Sequence, residues 1–369
     1  MSQHVYLRPI GLAASPQADS GAVRLAGGLS YASRFALLVR EGARVVSRLV
    51  VSADAVEGAI AALPAALVEE ALAQWAALRQ PHAPLTCGAR VIRLDQPQVM
   101  GILNLTPDSF SDAGQWLEKP DVALAHAAAM QEAGAAIIDI GGESTRPGAP
   151  AVWEGDEIAR VVPVVGQVAA MGAAISIDTR RVAVMEEALS AGAHIFNDVS
   201  GLRHDPRSLE FAAQSGIPVC LMHAPGSGED LHADGIYSDV VLDVFDWLRD
   251  RRDAALAAGV RAQNILIDPG IGFGKSLAEN LALMNALELF HALGCPLLVG
   301  ASRKRMIGAL SNEAAAHKRL GGSVMLATRM MEAGVQLIRV HDVPETVQAL
   351  HVWRGLRDAA LTDFSQLAD

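Results

Sequence analysis

From about Val99 the chain alternates between two textures. Short, nearly continuous apolar runs end in polar residues, and longer stretches of helical period follow them. The runs are VMGILNLT (99–106), AIIDIGG (136–142), AISIDT (174–179), HIFNDVSG (194–201), PVCLMHA (218–224), ILIDPGIG (265–272), PLLVGAS (296–302) and QLIRVHDV (336–343). Between them lie Ala-rich segments such as DVALAHAAAMQEAG and RVAVMEEALSAG, which close on glycine as a helix C-cap does. Runs that do not alternate polar with apolar predict strands buried on both faces, and helical crossovers between them predict a parallel sheet. Eight such units predict an α/β fold of the TIM (β/α)8 barrel type, with a doubly wound open sheet as the alternative.

Residues 1–95 break this rhythm. FALLVREGARVVSRLVVS predicts two strands around a Glu-Gly turn, and ALVEEALAQWAALRQ predicts a helix closed by Pro81 and Pro84. Ser15-Pro16 and Gly21 mark a loop or disorder. The expected organisation is a small α/β extension over 1–95, of unknown role, a linker near 81–98, and a catalytic barrel over 96–369.

The strand ends carry the chemistry. They present Asn104, Asp139 with Glu143, Asp178, Asn197 with Asp198, His223, Asp268, Ser302 with Lys304, and Arg339 with His341 and Asp342. One such aspartate is usually a helix cap. A barrel brings all eight ends to one mouth, where catalytic groups of this fold sit. Asp178, Asn197 and Asp268 offer acceptors to a flat, nitrogen-rich ring. Lys304, Arg339 and His341 offer positive charge and donors to a phosphate or a developing anion. DPGIGFGKS (268–276) narrowly misses the phosphate-loop pattern, because Pro269 stands where the loop needs a backbone N–H.

Composition narrows the partners. With 41 acidic against 30 basic residues the net charge is −11, which gives nucleic acid no global basic field. Cys87, Cys220 and Cys295 have no metal-binding or disulfide spacing, as expected in a reducing compartment. Arg8 comes early, no signal-peptide core follows, and no apolar run is long enough to cross a membrane. The expectation is a soluble cytoplasmic protein with no membrane partner.

Taken together, MGILNLTPDSFSD (100–112), IIDIGGESTRPGA (137–149), ISIDTR (175–180), NDVSG (197–201), LMH (221–223), DPGIGFGK (268–275), SRK (302–304) and RVHDV (339–343) resemble the dihydropteroate synthase family over about residues 97–355. The resemblance implies condensation of 6-hydroxymethyl-7,8-dihydropterin diphosphate with 4-aminobenzoate. The products are 7,8-dihydropteroate and diphosphate, on the folate pathway. It places the pterin on Asp178, Asn197, Asp268 and Lys304, with Met222 under the ring. Arg339, His341 and Asn104 take the diphosphate, and Asn104 a Mg²⁺ ion. Phe110, Thr145, Arg146, Pro147 and Phe273 surround the aminobenzoate. Asp178, Lys304, Arg339 and His341 form the catalytic set. A homodimer and sulfonamide binding are further implications.

Two departures stand out. Arg305 follows S-R-K where many members have a serine, and it is expected to meet the aminobenzoate carboxylate. HAPGSGEDLH (223–232) replaces the commoner H-M-x-G-x-P-x-x-M. A pterin-binding methyltransferase barrel and a catalytically idle paralogue are the competing readings. The SRK and RVHDV motifs argue against the first, and the retained strand-end residues against the second.

Overall fold

The computed structural model describes residues 3–15, 21–106, 120–145, 148–226 and 230–362. The first elements are β1 (Gln3–Ala13), β2 (Val23–Arg24), β3 (Tyr31–Glu41), β4 (Arg44–Ser52), α1 (Val56–Ala61), α2 (Ala65–Arg79) and a hairpin of β5 (Leu85–Cys87) and β6 (Arg90–Ile92). β3 and β4 are the two strands read around Glu41-Gly42, and α2 is the helix read before Pro81. β1 was missed. It is an edge strand that, among the described residues, pairs only with β3, with Pro9 opposite Phe35. An edge is where a sheet tolerates a residue without an N–H. Its outer side is closed by α2. Gln74 accepts from Leu7 N at 2.8 Å and donates to Val5 O at 2.7 Å.

The eight apolar runs each contain one strand of a second sheet. These are β7 (Gln98–Asn104), β8 (Ile137–Gly141), β9 (Ile175–Asp178), β10 (Ile195–Asp198), β11 (Val219–Met222), β12 (Ile265–Asp268), β13 (Leu298–Val299) and β14 (Leu337–Val340). They run parallel in the order β12-β11-β10-β9-β8-β7-β14-β13. A parallel bridge between Ile267 and Leu297 joins the two ends. The sheet is therefore a (β/α)8 barrel and the open-sheet alternative falls. Its helices are α3 (Pro120–Glu132), α4 (Glu154–Ala170), α5 (Val182–Ser190), α6 (Ser208–Ser215), α7 (Val240–Ala257), α8 (Leu277–Met284), α9 (Arg305–Leu310), α10 (Leu320–Glu332) and α11 (Val343–Leu361). Among the described residues no helix is long and apolar enough to cross a membrane.

The segment expected to be a linker has a structural task. Leu85, Cys87, Ile92 and Leu94 form one buried cluster with Met100, Ile137, Ala174, Ile195, Cys220, Leu266, Leu298 and Leu337. Each barrel strand, or the residue just before it, supplies one member. The hairpin therefore plugs the N-terminal end of the barrel, although it lies before the boundary expected at residue 95. The rest of the extension docks on the flank. Tyr6 Oη donates to Asp246 at 2.7 Å, and Arg40 donates to Ser238 Oγ at 2.8 Å and to Asp243 at 2.5 Å. Phe35 and Trp75 belong to the same continuous core as Phe290 and Leu293. Plug and flank leave the C-terminal end of the barrel as the open one.

Candidate active site

Strand register gathers the polar ends. Asn104 pairs with Gly141, Gly141 with Asp178, and Asp178 with Asn197, so four strands finish at one level. Met222 pairs with Asp268 beside them. Above these ends lies a cavity of about 740 Å³. Asn104, Thr145, Asp178, Asn197, Met222, Asp268, Phe273, Lys304, Arg305, Arg339 and His341 all line it, and among the described residues no lining residue precedes Ile102. Phe110, Arg146 and Pro147 lie outside the described residues.

The centre of the floor is an ion network that the sequence reading did not foresee. Arg339 Nε donates to Asp139 at 2.6 Å and Nη2 to Asp178 at 2.7 Å. Burial works against the charge of Arg339, but Asp139 and Asp178 outweigh it and hold the guanidinium above its ordinary pKa. Asn197 Nδ2 also turns to Asp139, at 3.4 Å. Asp139, one of the strand-end acids, thus anchors the floor. Arg339 and Asp178, expected at opposite ends of the substrate, touch each other. Two of the Arg339 donor nitrogens are therefore committed to the protein before any anion arrives.

Two carboxylates still face outward demands. Asp178 Oδ1 is buried and has no hydrogen-bond partner among the described residues. Burial raises the Asp178 pKa, with Arg339 opposing the rise. Asp268 Oδ1 accepts from Gly270 N at 2.7 Å. Burial raises the Asp268 pKa too, and Lys304 opposes it. Lys304 is the reciprocal case. Burial lowers its pKa to about 8, and Asp268 is the main force holding it up. Its Nζ donates to Ile271 O and sits 4.5 Å from the Phe273 ring centroid.

The DPGIGFGK loop is glycine-rich for close packing, not for phosphate. Gly270 has φ +69°, and a side chain there would run into the His223 carbonyl. Gly274 has φ +55° and is pressed against Pro225 and Ala233. Such backbone suits glycine and little else. Lys275 caps the loop from inside. Its Nζ donates to Gly270 O at 2.8 Å, Phe273 O at 3.0 Å and His223 Nδ1 at 2.9 Å. Burial lowers the Lys275 pKa to about 7, and burial together with Lys275 lowers that of His223 to about 2. His223 is thus a neutral structural histidine. Asn280, a residue that no sequence motif marks, accepts from Gly272 N at 2.6 Å.

On the cationic side, Ser302 Oγ accepts from His341 N at 3.2 Å and lies 3.1 Å from His341 Nδ1. Arg305 is exposed on the rim at the start of α9. The remaining acids serve the scaffold. Glu143 accepts from Arg180 at 2.9 Å and Arg181 at 3.0 Å. Asp198 accepts from Ser200 N at 2.7 Å and Leu202 N at 3.1 Å. Asp342 pairs with Arg303.

A family model described as pterin binding enzyme matches residues 100–341. The dihydropteroate synthase of Neisseria meningitidis serogroup B is 47% identical over 269 residues, which are 72% of this chain and 94% of that protein. The solved structure of Xanthomonas albilineans dihydropteroate synthase with 4-aminobenzoic acid superposes with a TM-score of 0.70 at 44% identity. It covers 75% of this chain and 98% of its own. The Yersinia pestis dihydropteroate synthase in complex with a sulfonamide drug gives a TM-score of 0.71 at 45% identity, over 75% and 99%.

Proposed function

This chain belongs to the dihydropteroate synthase family, and we propose that it condenses 6-hydroxymethyl-7,8-dihydropterin diphosphate with 4-aminobenzoate, giving 7,8-dihydropteroate and diphosphate. One observation carries the reading. The buried, unpartnered Asp178 Oδ1 and the half-used Asp268 carboxylate share a cavity with Lys304, Arg339 and His341. A ring rich in N–H donors suits the first pair, and an anionic leaving group suits the second set.

The C–O bond to the diphosphate breaks with its electron pair leaving on the diphosphate. The aminobenzoate nitrogen bonds to the pterin methylene carbon and gives up one proton to water. The dihydropterin ring can delocalise positive charge as the bond opens. Asp178 stands ready to stabilise that charge, and Arg339 and His341 to stabilise the charge that departs. No strong base is needed for an aromatic amine once the carbon is cationic. Phe273 and the Thr145 loop flank the amine substrate, and Arg305 on the rim meets its carboxylate.

Asn104 is the protein's contribution to a Mg²⁺ site. One amide oxygen at a strand end suits an ion carried largely by diphosphate and water. When bound, the ion would offset charge on the diphosphate. We place the enzyme in the cytoplasm. We also propose a homodimer. Leu310, Met325, Val352 and Leu356, on α9, α10 and α11, are 61–68% exposed, a natural pairing face. Sedimentation velocity reads the assembly directly, and a monomer at micromolar concentration would remove that proposal.

The reaction is tested by incubating the full chain with both substrates and Mg²⁺. Release of diphosphate matched by formation of dihydropteroate, and competition between a sulfonamide and aminobenzoate, are expected. A cavity that binds pterin diphosphate without forming product would leave a binding protein instead.

A further inference from the structure

His232 ends the segment 223–232, in which this chain departs from the family pattern. The residue before it is anchored. Leu231 is buried in a small apolar cluster with Val199, Met222, Ala224 and Phe273. Its own backbone is fixed as well, since His232 N donates to Asp230 at 2.9 Å. The imidazole lies flat on the Phe273 ring, with centroids 5.1 Å apart and planes 13° from parallel. His232 Nε2 is 2.6 Å from the Thr145 carbonyl oxygen. A carbonyl oxygen only accepts, so Nε2 carries the proton and donates.

Three loops therefore meet at one side chain. His232 belongs to the loop after β11, Thr145 to the loop after β8, and Phe273 to the loop after β12. All three residues line the cavity. The loop after β11 is also laced to the loop after β12, where Gly235 N and Tyr237 Oη both reach Gly274 O, at 3.3 and 3.4 Å. No comparable direct bond ties the Thr145 carbonyl to the Phe273 loop among the described residues. The imidazole is the link.

We propose that His232 is a positioning residue that sets the width of the aminobenzoate subsite. It holds Thr145 and Phe273 at the spacing a flat aromatic ring requires. The inference rests on the assignment of the reaction above. A ring between two walls loses contact when either wall drifts by a fraction of an ångström. Holding the walls apart before binding spares the substrate the cost of ordering them. The pterin floor, built from strand ends and the Arg339 network, does not depend on this link.

The test compares full-length wild type with three variants. His232→Ala removes ring and donor. It is expected to raise KM for 4-aminobenzoate about tenfold, from loss of the stack and the hydrogen bond together. KM and calorimetric Kd for the pterin diphosphate are expected to stay within about twofold, because its contacts are untouched. His232→Gln keeps a donor within reach of Thr145, and His232→Phe keeps the stack, so each is expected to recover part of the loss. Hydrogen exchange of backbone amides 143–145, 148, 149 and 151–153 is expected to speed up in His232→Ala. An unchanged aminobenzoate KM, or an equal rise in both KM values, overturns the proposal. Wild-type turnover tests the reaction separately. Should the wild type form no product, the assignment of the reaction falls. The exchange measurement then decides the link alone, with unchanged rates overturning it.

Discussion

Asp268→Asn separates recognition of the ring from recognition of the diphosphate. The carboxylate has two tasks. Oδ1 accepts from Gly270 N at 2.7 Å and shapes the turn. The remaining oxygen belongs to the cavity that Asp268 lines. Asparagine can keep Oδ1 on Gly270, so the turn is expected to survive. Its NH₂ then replaces the other oxygen and opposes an N–H donor of the pterin. One buried donor left unpaired costs about 1–3 kcal/mol. Pterin diphosphate binding should therefore weaken roughly 5- to 150-fold, at 1.4 kcal/mol per factor of ten. Because one oxygen is already occupied, the loss corresponds to a single contact and not to a bidentate pair. A second effect follows from Lys304, whose pKa lies at about 8 with Asp268 as its chief support. Removing that charge lowers it further. The deficit should then be larger at pH 8 than at pH 7, as the variant lysine loses its proton first. Inorganic diphosphate alone should bind almost as before, since Asn104, Arg339 and His341 are intact. Isothermal titration with each ligand at both pH values reads all of this. Equal losses for the two ligands would show that Asp268 organises the whole floor. No loss for the pterin would reduce Asp268 to a turn-former for Gly270.

Two other outcomes are expected. Arg305 is exposed, so an ion pair with the aminobenzoate carboxylate is worth about 0–1 kcal/mol, and Arg305→Ala should raise KM for aminobenzoate by at most about fivefold. The KM for the pterin substrate should hold, and steady-state kinetics showing no change in either would mean that the side chain serves only solvent. His223 is held neutral, with a pKa near 2 when folded against an ordinary 6.5. Below pH 6.5 the unfolded chain takes up a proton that the folded chain refuses, so stability falls with falling pH by about 1.4 kcal/mol per unit. His223→Gln should make the urea-midpoint profile between pH 6 and 4 shallower by about one proton's worth, with the buried His82 and His291 still contributing, and parallel profiles for wild type and variant would show that His223 takes no part in the acid sensitivity.

The apolar runs determined the barrel strands because a strand buried on both faces must be apolar almost throughout. The polar residue at each run's end was legible for the same reason: Asn104, Asp178, Asn197 and Asp268 interrupt patterns that otherwise have no use for them. The family motifs then supplied their roles. Local pattern could not reveal β1, whose Pro9 reads as a loop until β3 and α2 close on either side of it. The plug of Leu85, Cys87, Ile92 and Leu94 looked like a linker, since its apolar side has meaning only against the barrel floor. The union of Arg339 with Asp139 and Asp178 spans some 200 residues of chain, and so does no motif. His232 and Asn280 lie in stretches whose local pattern carries no mark of their partners. Sequence records what each residue can bury or donate. Which donor meets which acceptor depends on strands and loops brought together from far apart, and only closure of the barrel fixes those distances.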